Sequence, residues 1–347
     1  MRLFIFGSTG DLVKRKIIPA FLDLKYENLE IIALGRKEFT DNMYHNFICD
    51  NDCFKNFKLK PKYHKVTFEG ALKCEACDDY LTKDSENFFY SALPPQNIGT
   101  LLKYIGTIKR QGFKVSVLIE KPFGVNFQNA MDLKILAEKQ NLTDDIYISD
   151  HYLFKEPVLN LVISEFKKIK IVSLEKVGLE NRLSYDDVGA LKDMIQSHFL
   201  NIVLKLMKRP DSEWNDFKVV NYIRGQYGNG ETSGYVKDLG KYSDTETFVD
   251  LILETKSKHL EFVTGKRFDK KVSFIEIDGK NINLDTGANP YTHLFSRFFT
   301  KDKKSFTSID QAILVWKIIE KIESQKPILK YYKEDTKTET VLSRENF

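Results

Sequence analysis

The sequence predicts an α/β protein in which a Rossmann-like doubly wound domain precedes an α+β domain with a large, mostly antiparallel sheet. Short apolar runs alternate with helical stretches through the first 150 residues, and a glycine-containing turn separates the first run from the first helix. Strand-like alternation dominates after about residue 155. The length of 347 residues fits two domains, which we place at residues 1–150 and 151–347.

Six apolar runs in the first half predict the strands of a parallel sheet. Because helices cover both faces of such a sheet, its strands are almost continuously apolar. The predicted strands are residues 3–6, 29–34, 63–68, 88–92, 114–120 and 146–149, and the helices between them include residues 11–24, 96–110 and 126–139.

The second half predicts more strands than helices. The strands are residues 170–177, 218–224, 247–255, 259–264 and 271–277, and helices are expected at 187–207, 290–300 and 309–323. Apolar residues at 188, 191, 195, 199, 202 and 206 form a stripe along the first of these helices, which indicates that one face packs on a core. The tail from Lys330 is polar and charged, and we expect it to be loosely ordered.

Composition and charge favour a soluble, cytoplasmic protein that acts on a small molecule. The net charge of +4 is made of interspersed charges of both signs, which gives no electrostatic case for a nucleic-acid or membrane partner. No apolar run reaches the roughly 18 residues that span a bilayer. The apolar run at residues 3–6 is too short for a signal peptide.

Four cysteines fall between residues 49 and 77, as Cys49, Cys53, Cys74 and Cys77. Their spacing is near that of a four-thiolate zinc site, although no glycine-rich knuckle accompanies either pair. Two amphipathic helices would instead place small apolar thiols on buried faces. We expect buried free thiols and no metal, with a zinc site and disulfides as the alternatives.

The segment Gly7-Ser8-Thr9-Gly10-Asp11 predicts a phosphate-binding turn. Gly7 ends the first strand and Gly10 opens the first helix, so the backbone is able to turn tightly and approach a pyrophosphate at the helix N-terminus. The pattern G-x-x-G departs from the usual G-x-G-x-x-G, and an ordinary strand-to-helix turn is the alternative.

The end of the second strand indicates which dinucleotide binds. An acidic residue there accepts the ribose 2′-hydroxyl of NAD, whereas a basic residue accepts the 2′-phosphate of NADP. Here the strand runs into Gly35-Arg36-Lys37. Because a guanidinium binds phosphate with two hydrogen bonds, Arg36 favours NADP, unless it lies on a merely solvated loop.

Seven strings, in order along the chain, resemble the signature motifs of the glucose-6-phosphate dehydrogenase family from residue 2 to about 325. That resemblance implies NADP-dependent oxidation of glucose 6-phosphate to the 6-phosphogluconolactone, the entry to the pentose phosphate pathway. The strings are Gly7-Ser8-Thr9-Gly10-Asp11-Leu12-Val13-Lys14-Arg15-Lys16, Ala92-Leu93-Pro94-Pro95, Glu120-Lys121-Pro122-Phe123-Gly124, Asp150-His151-Tyr152-Leu153-Phe154-Lys155-Glu156, Asp193-x4-His198, Ile223-Arg224-Gly225-Gln226-Tyr227 and Thr264-Gly265-Lys266-Arg267.

The resemblance also implies roles for individual residues. His198 matches the family's catalytic base, a task that suits an imidazole at cytosolic pH. Asp150 matches the carboxylate that orients its ring, and Lys121 matches a lysine that contacts substrate and nicotinamide, before a proline whose peptide bond is cis. The implied substrate-binding residues are Lys121, His151, Tyr152, Lys155, Glu175, Asp193, Lys266 and Lys271; the implied cofactor-binding residues are Gly7, Ser8, Thr9, Gly10, Asp11, Leu12, Arg36, Ala92, Pro94 and Lys121.

The spacing of Asp193 and His198 is awkward for these roles. Residues five apart are separated by about 140° on an ideal α-helix, so we expect that the two side chains cannot share one narrow face. An irregular helix, or a sugar that lies across the helix, would resolve the conflict.

The chain departs from the family pattern at three places, one of which is the segment before Tyr185, which lacks the family's glycine-rich loop and is about one residue shorter. Phe154 replaces a glycine, where a ring either packs into the core or reshapes access to the phosphate. Residues 278–290 replace a longer stretch of the sheet that builds the family's dimer interface. We therefore expect no second, structural NADP site and a homodimer, if one forms, through a smaller surface of the second-domain sheet.

Two other functions fit parts of the sequence. An oxidoreductase of the glucose-fructose-oxidoreductase class also joins a Rossmann domain to an open sheet and uses an E-K-P string, although the cluster at residues 150–155 argues for a phosphorylated sugar. The other alternative is a non-catalytic paralogue that binds NADP or a sugar phosphate.

Overall fold

A computed structural model describes residues 1–24, 26, 28–49, 54, 60–67, 71–74, 77–163, 165–180, 182–207 and 210–343. The chain packs into two compact units. Unit 1 consists of Met1–Phe154 and Asn289–Ile313, and unit 2 of Lys155–Ala288 and Leu314–Phe347. Unit 1 thus includes a segment from late in the sequence, whereas the predicted division placed all residues after 150 in one domain.

Unit 1 is built on a six-stranded parallel sheet with the order β3-β2-β1-β4-β5-β6. This is the doubly wound order, in which the direction of winding reverses between β1 and β4. All six predicted strands are confirmed, as β1 (Arg2–Phe6), β2 (Glu30–Gly35), β3 (Lys62–Lys65), β4 (Asn87–Ser91), β5 (Val115–Ile119) and β6 (Ile146–Ile148).

Helices connect these strands in unit 1, and one of them, α2 (Asp41–Ile48), is not among the predicted helices. The Thr40 side chain caps α2 by accepting a hydrogen bond from the Met43 amide at 3.3 Å. The helices are a π-helical stretch at Val13–Ile17 that continues as α1 (Ile18–Leu24), α2 (Asp41–Ile48), α3 (Ile98–Arg110), α4 (Phe127–Lys139), α9 (Pro290–Phe299) and the first part of α10 (Ile309–Glu323).

Helix α9 covers one face of the unit 1 sheet with phenylalanines. The Phe295 ring lies 5.2 Å from that of Tyr90. The Phe298 ring lies 5.2 Å from that of Phe88 and 5.1 Å from that of Tyr147. These edge-to-face contacts explain why a helix after residue 288 belongs to unit 1.

Unit 2 contains a seven-stranded sheet with the order β12-β11-β7-β10-β9-β8-β13. Strands β7 and β10 are parallel, as are β8 and β13, and the other neighbours are antiparallel, so the predicted mostly antiparallel sheet is confirmed. The strands are β7 (Lys168–Leu174), β8 (Lys218–Tyr227), β9 (Phe248–Glu254), β10 (His259–Gly265), β11 (Val272–Ile277), β12 (Lys280–Asn283) and β13 (Leu329–Tyr332).

The long helix of unit 2 is a π-helix at Leu191–Phe199 that continues as α6 (Leu200–Leu206). Its predicted apolar stripe is buried over most of its length, and the Phe199 ring packs 6.0 Å from that of Phe262 on β10. The shorter helices of unit 2 are α5 (Glu156–Leu159), α7 (Pro210–Trp214), α8 (Tyr235–Leu239) and α11 (Thr338–Leu342).

The tail from Lys330 to Ser343 is ordered, which corrects the expectation of a loose end. Strand β13 extends the sheet beside β8, and the following helix α11 buries Val341. The Tyr332 ring stacks on that of Phe268 at 5.3 Å, and its hydroxyl donates a hydrogen bond to the Lys266 carbonyl at 2.7 Å. The polar composition concealed a few apolar residues that anchor this segment.

The expectation of free cysteine thiols is wrong at three positions. Cys74 and Cys77 form a disulfide, with Cα atoms 5.3 Å apart, within the range that this bond requires. Neither cysteine lies in the expected helix, and the Cys77 amide donates to the Cys74 carbonyl at 3.3 Å. Cys49 is also disulfide-bonded, and Cys53 lies outside the described residues.

Within the described ranges, every helix is too short or too polar to cross a lipid bilayer.

Candidate active site

The chain turns tightly after β1, as the sequence predicts for residues 7–11. Gly7 adopts a φ of 79°, and a Cβ atom at this position would lie 2.8 Å from the carbonyl oxygen of Ala92. The Gly7 and Ser8 amides both donate to the Leu34 carbonyl at 3.0 Å, and the Gly10 amide donates to the Gly7 carbonyl at 3.0 Å. Only glycine fits at position 7, and the chain then enters a helix directly.

Two buried serine hydroxyls lie at the point where the sheet reverses its winding. Ser8 follows β1, and Ser91 ends β4 in register with Phe6. Both serines are fully buried, and their Oγ atoms have no hydrogen-bond partner among the described residues. Since buried polar groups are nearly always hydrogen-bonded, these hydroxyls fit a polar ligand at the site where doubly wound sheets bind dinucleotides.

Arg36 lies directly after β2 with an exposed guanidinium. In the part of the chain that the structure describes, this group makes no ion pair or hydrogen bond. The neighbouring loop is fixed, because the Tyr63 hydroxyl donates to the Lys37 carbonyl at 2.6 Å. A free cation on a fixed loop at the carboxyl end of β2 fits the 2′-phosphate of NADP.

The other cofactor candidates follow the carboxyl ends of β1 and β4. The Ala92 amide donates to the Phe6 carbonyl at 2.9 Å, which holds the segment after β4 against the turn. Pro94 is exposed and precedes α3. Asp11 is exposed and forms an ion pair with Arg15 at 2.8 Å, and the partly buried Thr9 and Leu12 flank the start of the helix.

Glu120, which the sequence analysis did not assign a role, anchors the segment that carries Lys121. Its carboxylate accepts hydrogen bonds from the Tyr90 hydroxyl at 2.8 Å and the Ser149 hydroxyl at 3.0 Å. Burial raises the pKa of this carboxyl, and the two hydrogen bonds oppose that rise. The Lys121–Pro122 peptide is cis, as expected.

The residues after β6 form a tight turn in unit 1. Asp150 is buried, and its carboxylate accepts a hydrogen bond from the Tyr152 amide at 3.0 Å. The His151 ring stacks on the Tyr291 ring of α9 at 5.7 Å. Phe154 is fully buried, 4.9 Å from the Phe306 ring, so it fills the core of unit 1.

The π-helix of unit 2 places Asp193 and His198 on one face. Its hydrogen bonds join residues five apart, as from the Leu200 amide to the Ile195 carbonyl, so side chains five apart lie one turn apart on the same side of the helix. The expectation that these two side chains cannot share a face is therefore wrong, and the irregular helix is the correct alternative. His198 is 2% exposed, and the Asp193 side chain is 14% exposed.

Strand pairing brings Glu175 and Lys266 together in unit 2. They directly follow β7 and β10, which are parallel neighbours with Leu174 beside Gly265. The Lys266 ammonium donates to the Glu175 carboxylate, and it lies 5.1 Å from the centre of the Tyr185 ring. Lys266 is 6% exposed, whereas 38% of the Glu175 side chain is exposed, so only the cation of this pair is shielded from water.

The other candidate residues of unit 2 also face opposite charges. Arg182 forms an ion pair with Asp193 at 3.3 Å and lies 5.8 Å from the Tyr185 ring. Lys271 forms an ion pair with Asp285 at 2.7 Å. Lys271 and, to a smaller extent, Lys155 lower the pKa of Asp285. No local sequence pattern indicated that Arg182, Tyr185 and Asp285 would contact the candidate residues.

The structure thus divides the candidate residues between the two units. Unit 1 holds the cofactor candidates together with Lys121, Asp150, His151 and Tyr152. Unit 2 holds Lys155, Glu175, Asp193, His198, Lys266 and Lys271.

Two family models match consecutive parts of the chain. The model "Glucose-6-phosphate dehydrogenase, NAD binding domain" matches residues 4–160, and "Glucose-6-phosphate dehydrogenase, C-terminal domain" matches residues 154–221. Together they cover the glycine turn and the helix with Asp193 and His198.

Curated relatives named glucose-6-phosphate 1-dehydrogenase align with most of the chain. The enzyme from Buchnera aphidicola is 27% identical over 81% of this chain and 70% of its own length. The enzyme from Borreliella burgdorferi is 28% identical over 88% of this chain and 72% of its own length. The enzyme from Leuconostoc mesenteroides is 28% identical over 78% of this chain and 70% of its own length.

Solved structures show the same fold. A glucose-6-phosphate dehydrogenase in complex with glucose 6-phosphate has a TM-score of 0.79 at 19% identity, over 99% of this chain and 96% of its own. A myo-inositol dehydrogenase from Corynebacterium glutamicum has a TM-score of 0.59 at 12% identity, over 92% of this chain and 94% of its own.

Proposed function

Because this chain belongs to the glucose-6-phosphate dehydrogenase family, we propose that it oxidises D-glucose 6-phosphate at C1 to 6-phospho-D-glucono-1,5-lactone, with NADP as the cofactor. The reaction is the first step of the oxidative pentose phosphate pathway. The observation that carries the proposal is the π-helix, since it places a carboxylate, Asp193, on the same face as a buried imidazole, His198.

The residues of unit 1 hold the cofactor in this proposal. The turn from Gly7 to Leu12 receives the pyrophosphate, Arg36 the 2′-phosphate, and Ala92, Pro94 and Lys121 complete the contacts. When bound, NADP accepts the hydride that leaves C1. The free hydroxyls of Ser8 and Ser91 support this placement, because they require a polar partner.

The proton of the C1 hydroxyl passes to the imidazole of His198 as the C1–H bond breaks and the C1 carbonyl forms. For Asp150 we propose the role that its match to the family motif implies, which is to orient the catalytic imidazole in the tautomer that accepts a proton. Glucose 6-phosphate and NADP⁺ therefore give the lactone, NADPH and one proton.

Charged side chains bind the rest of the substrate in this proposal. The carboxylates of Glu175 and Asp193 accept hydrogen bonds from sugar hydroxyls, and Lys266 donates to the sugar. The phosphate is bound by His151, Tyr152, Lys155 and Lys271.

The direct test is reduction of NADP by the purified protein with glucose 6-phosphate, measured by absorbance beside reactions with glucose and myo-inositol. We expect turnover with the phosphorylated sugar alone. Faster turnover of the free sugars would support a sugar dehydrogenase of the glucose-fructose-oxidoreductase class, whose overall fold is similar. NADP binding without any turnover would identify a non-catalytic paralogue.

Two further properties follow from family membership as proposals. We propose a homodimer through the sheet of unit 2, which sedimentation tests; a monomer at all concentrations would overturn it. We also propose a cytoplasmic location, which fractionation of the source cells tests.

A further inference from the structure

Glu246 holds the first turn of the helix at 191–206, which carries Asp193 and His198. Its backbone carbonyl accepts a hydrogen bond from the Ala190 amide at 3.0 Å. Its carboxylate accepts another from the Leu191 amide at 3.1 Å. The first amides of a helix have no partner within the helix, and a negative charge near them is favourable.

The position just before this helix has no room for a residue larger than glycine. Gly189 has a φ of +70°, and a Cβ atom there would lie 2.5 Å from the Glu246 carboxylate. The carboxylate therefore lies directly against the chain that leads into the helix.

Arg224 fixes the Glu246 carboxylate from the other side. Its Nε and Nη2 atoms lie 3.3 and 3.2 Å from Oε2 of Glu246. The same guanidinium donates to the carbonyls of Asp244 at 2.7 Å and Pro327 at 3.3 Å, and Arg224 is 6% exposed. Arg224 belongs to the string Ile223-Arg224-Gly225-Gln226-Tyr227, whose residues have no role in the proposed function.

Gln226 of that string holds the rest of the loop that presents Glu246. Its amide donates to the carbonyls of Ser243 at 3.0 Å and Thr245 at 2.9 Å. The string thus supports both the side chain of Glu246 and the backbone before it.

We propose that Glu246 and Arg224 are positioning residues, which fix the first turn of the helix at 191–206 and thereby the placement of Asp193 and His198. This inference rests on the proposed function of these two residues. Neither Glu246 nor Arg224 is assigned a contact with substrate or cofactor.

The pair is suited to this task because each buried charge is unfavourable without the opposite charge of its partner. A carboxylate with 10% of its side chain exposed loses most of its hydration, and burial raises the pKa of Glu246, while Arg224 opposes the rise. Removing one partner leaves the other as a buried, unpaired charge.

Three variants of Glu246 separate positioning from general stability. Glu246→Gln keeps an oxygen that accepts from the Leu191 amide, Glu246→Asp withdraws the carboxylate by one methylene, and Glu246→Ala removes it. A matched control is Glu261→Gln on β10, which alters another buried carboxylate, paired with Lys168 at 2.7 Å. Thermal unfolding shows which variants are folded.

We expect kcat with glucose 6-phosphate to fall about 10- to 100-fold in Glu246→Ala and Glu246→Asp, since small misplacements of reacting groups have effects of this size. Glu246→Gln should recover only part of this loss, because it restores the acceptor for the Leu191 amide but leaves the charge of Arg224 unpaired. The KM for NADP should not change in any variant. Folded Asp and Gln variants with the kcat of the wild type would overturn the proposal. So would an equal loss of kcat in Glu261→Gln.

Amide hydrogen exchange without substrate distinguishes this proposal from the proposed function. We expect faster exchange at residues 190–199 in Glu246→Asp and Glu246→Ala, and unchanged exchange there in Glu261→Gln. A wild type without turnover but with this exchange pattern contradicts the proposed function alone. Unchanged exchange in a folded Glu246→Ala or Glu246→Asp variant overturns the positioning role.

Discussion

The candidate cofactor site of unit 1 and the candidate sugar site of unit 2 are built in different ways. The first is a backbone turn with free polar groups around it: two buried serine hydroxyls and the guanidinium of Arg36. The second is a set of side chains that already contact opposite charges, as in the pairs Glu175–Lys266 and Arg182–Asp193. We infer that NADP meets a preformed site, whereas the sugar phosphate replaces protein partners as it binds.

Substitution of His198 gives the largest expected effect and separates the two sites most sharply. With His198→Asn, kcat should fall about 10²- to 10⁴-fold, because the substrate hydroxyl loses its general base. The Kd for NADP, measured by calorimetry, should stay the same, because unit 1 is unaltered. Full turnover by this variant would exclude His198 as the base.

Substitution of Arg36 tests the free cation of unit 1. In Arg36→Ala the Kd for NADP should rise about 10- to 100-fold, since a hydrogen bond to a charged group contributes about 1.5–3 kcal/mol. The Kd for NAD, which lacks the 2′-phosphate, should hardly change. Lys37→Ala is the control, because that ammonium lies over the Phe47 ring at 4.3 Å. An equal loss of NAD and NADP affinity would contradict the assignment.

Substitution of Asp285 should improve the sugar site slightly. Its carboxylate competes with the substrate phosphate for Lys271, so Asp285→Asn should lower the KM for glucose 6-phosphate about two- to fivefold, the range expected for an exposed ion pair. Glu339→Gln, which removes the partner of the neighbouring Lys270, is the control. A higher KM in Asp285→Asn would show that Asp285 supports binding instead.

The pH dependence of this gain follows from the same ion pair. The hydrogen bond with Lys271 holds the pKa of Asp285 below its ordinary value of 3.8. A carboxyl with a lowered pKa stabilises the folded protein above its ordinary pKa, and this stabilisation is lost as the pH falls through the lowered value. The gain in KM should therefore be constant between about pH 7.5 and 9, where both this carboxyl and the substrate phosphate, with a second pKa of about 6, are ionised; a gain that varies there would point to another group.

The sequence predicted the fold of unit 1 well, because its strands and its glycine turn can each be recognised from a short stretch of sequence. Gly7, Arg36 and Ser8 lie beside strands that each read as a short apolar run, and the doubly wound order follows from strand–helix alternation. Helix α2 was missed, and the hydroxyl of Ser91 gave no signal beyond its position at the end of a strand.

The partners of the sugar site could not be predicted in the same way. Glu175 and Lys266 are 91 positions apart and meet only because β7 pairs with β10, which no local pattern specifies. The placement of Asp193 and His198 on one face depends on hydrogen bonds five residues apart, whereas the spacing of apolar residues suits an ordinary helix equally well. The disulfide between Cys74 and Cys77 likewise depends on a turn that the spacing of the cysteines did not specify.

The position of α9 in the sequence determines when unit 1 becomes complete during synthesis. Its phenylalanines cover Phe88, Tyr90 and Tyr147, but the ribosome makes them only after β7 to β12 of the other unit. Until residue 299 has emerged, this aromatic face of the nascent sheet is open to water and to chaperones. A fragment that ends near residue 154 would keep that face uncovered permanently, and we expect it to aggregate.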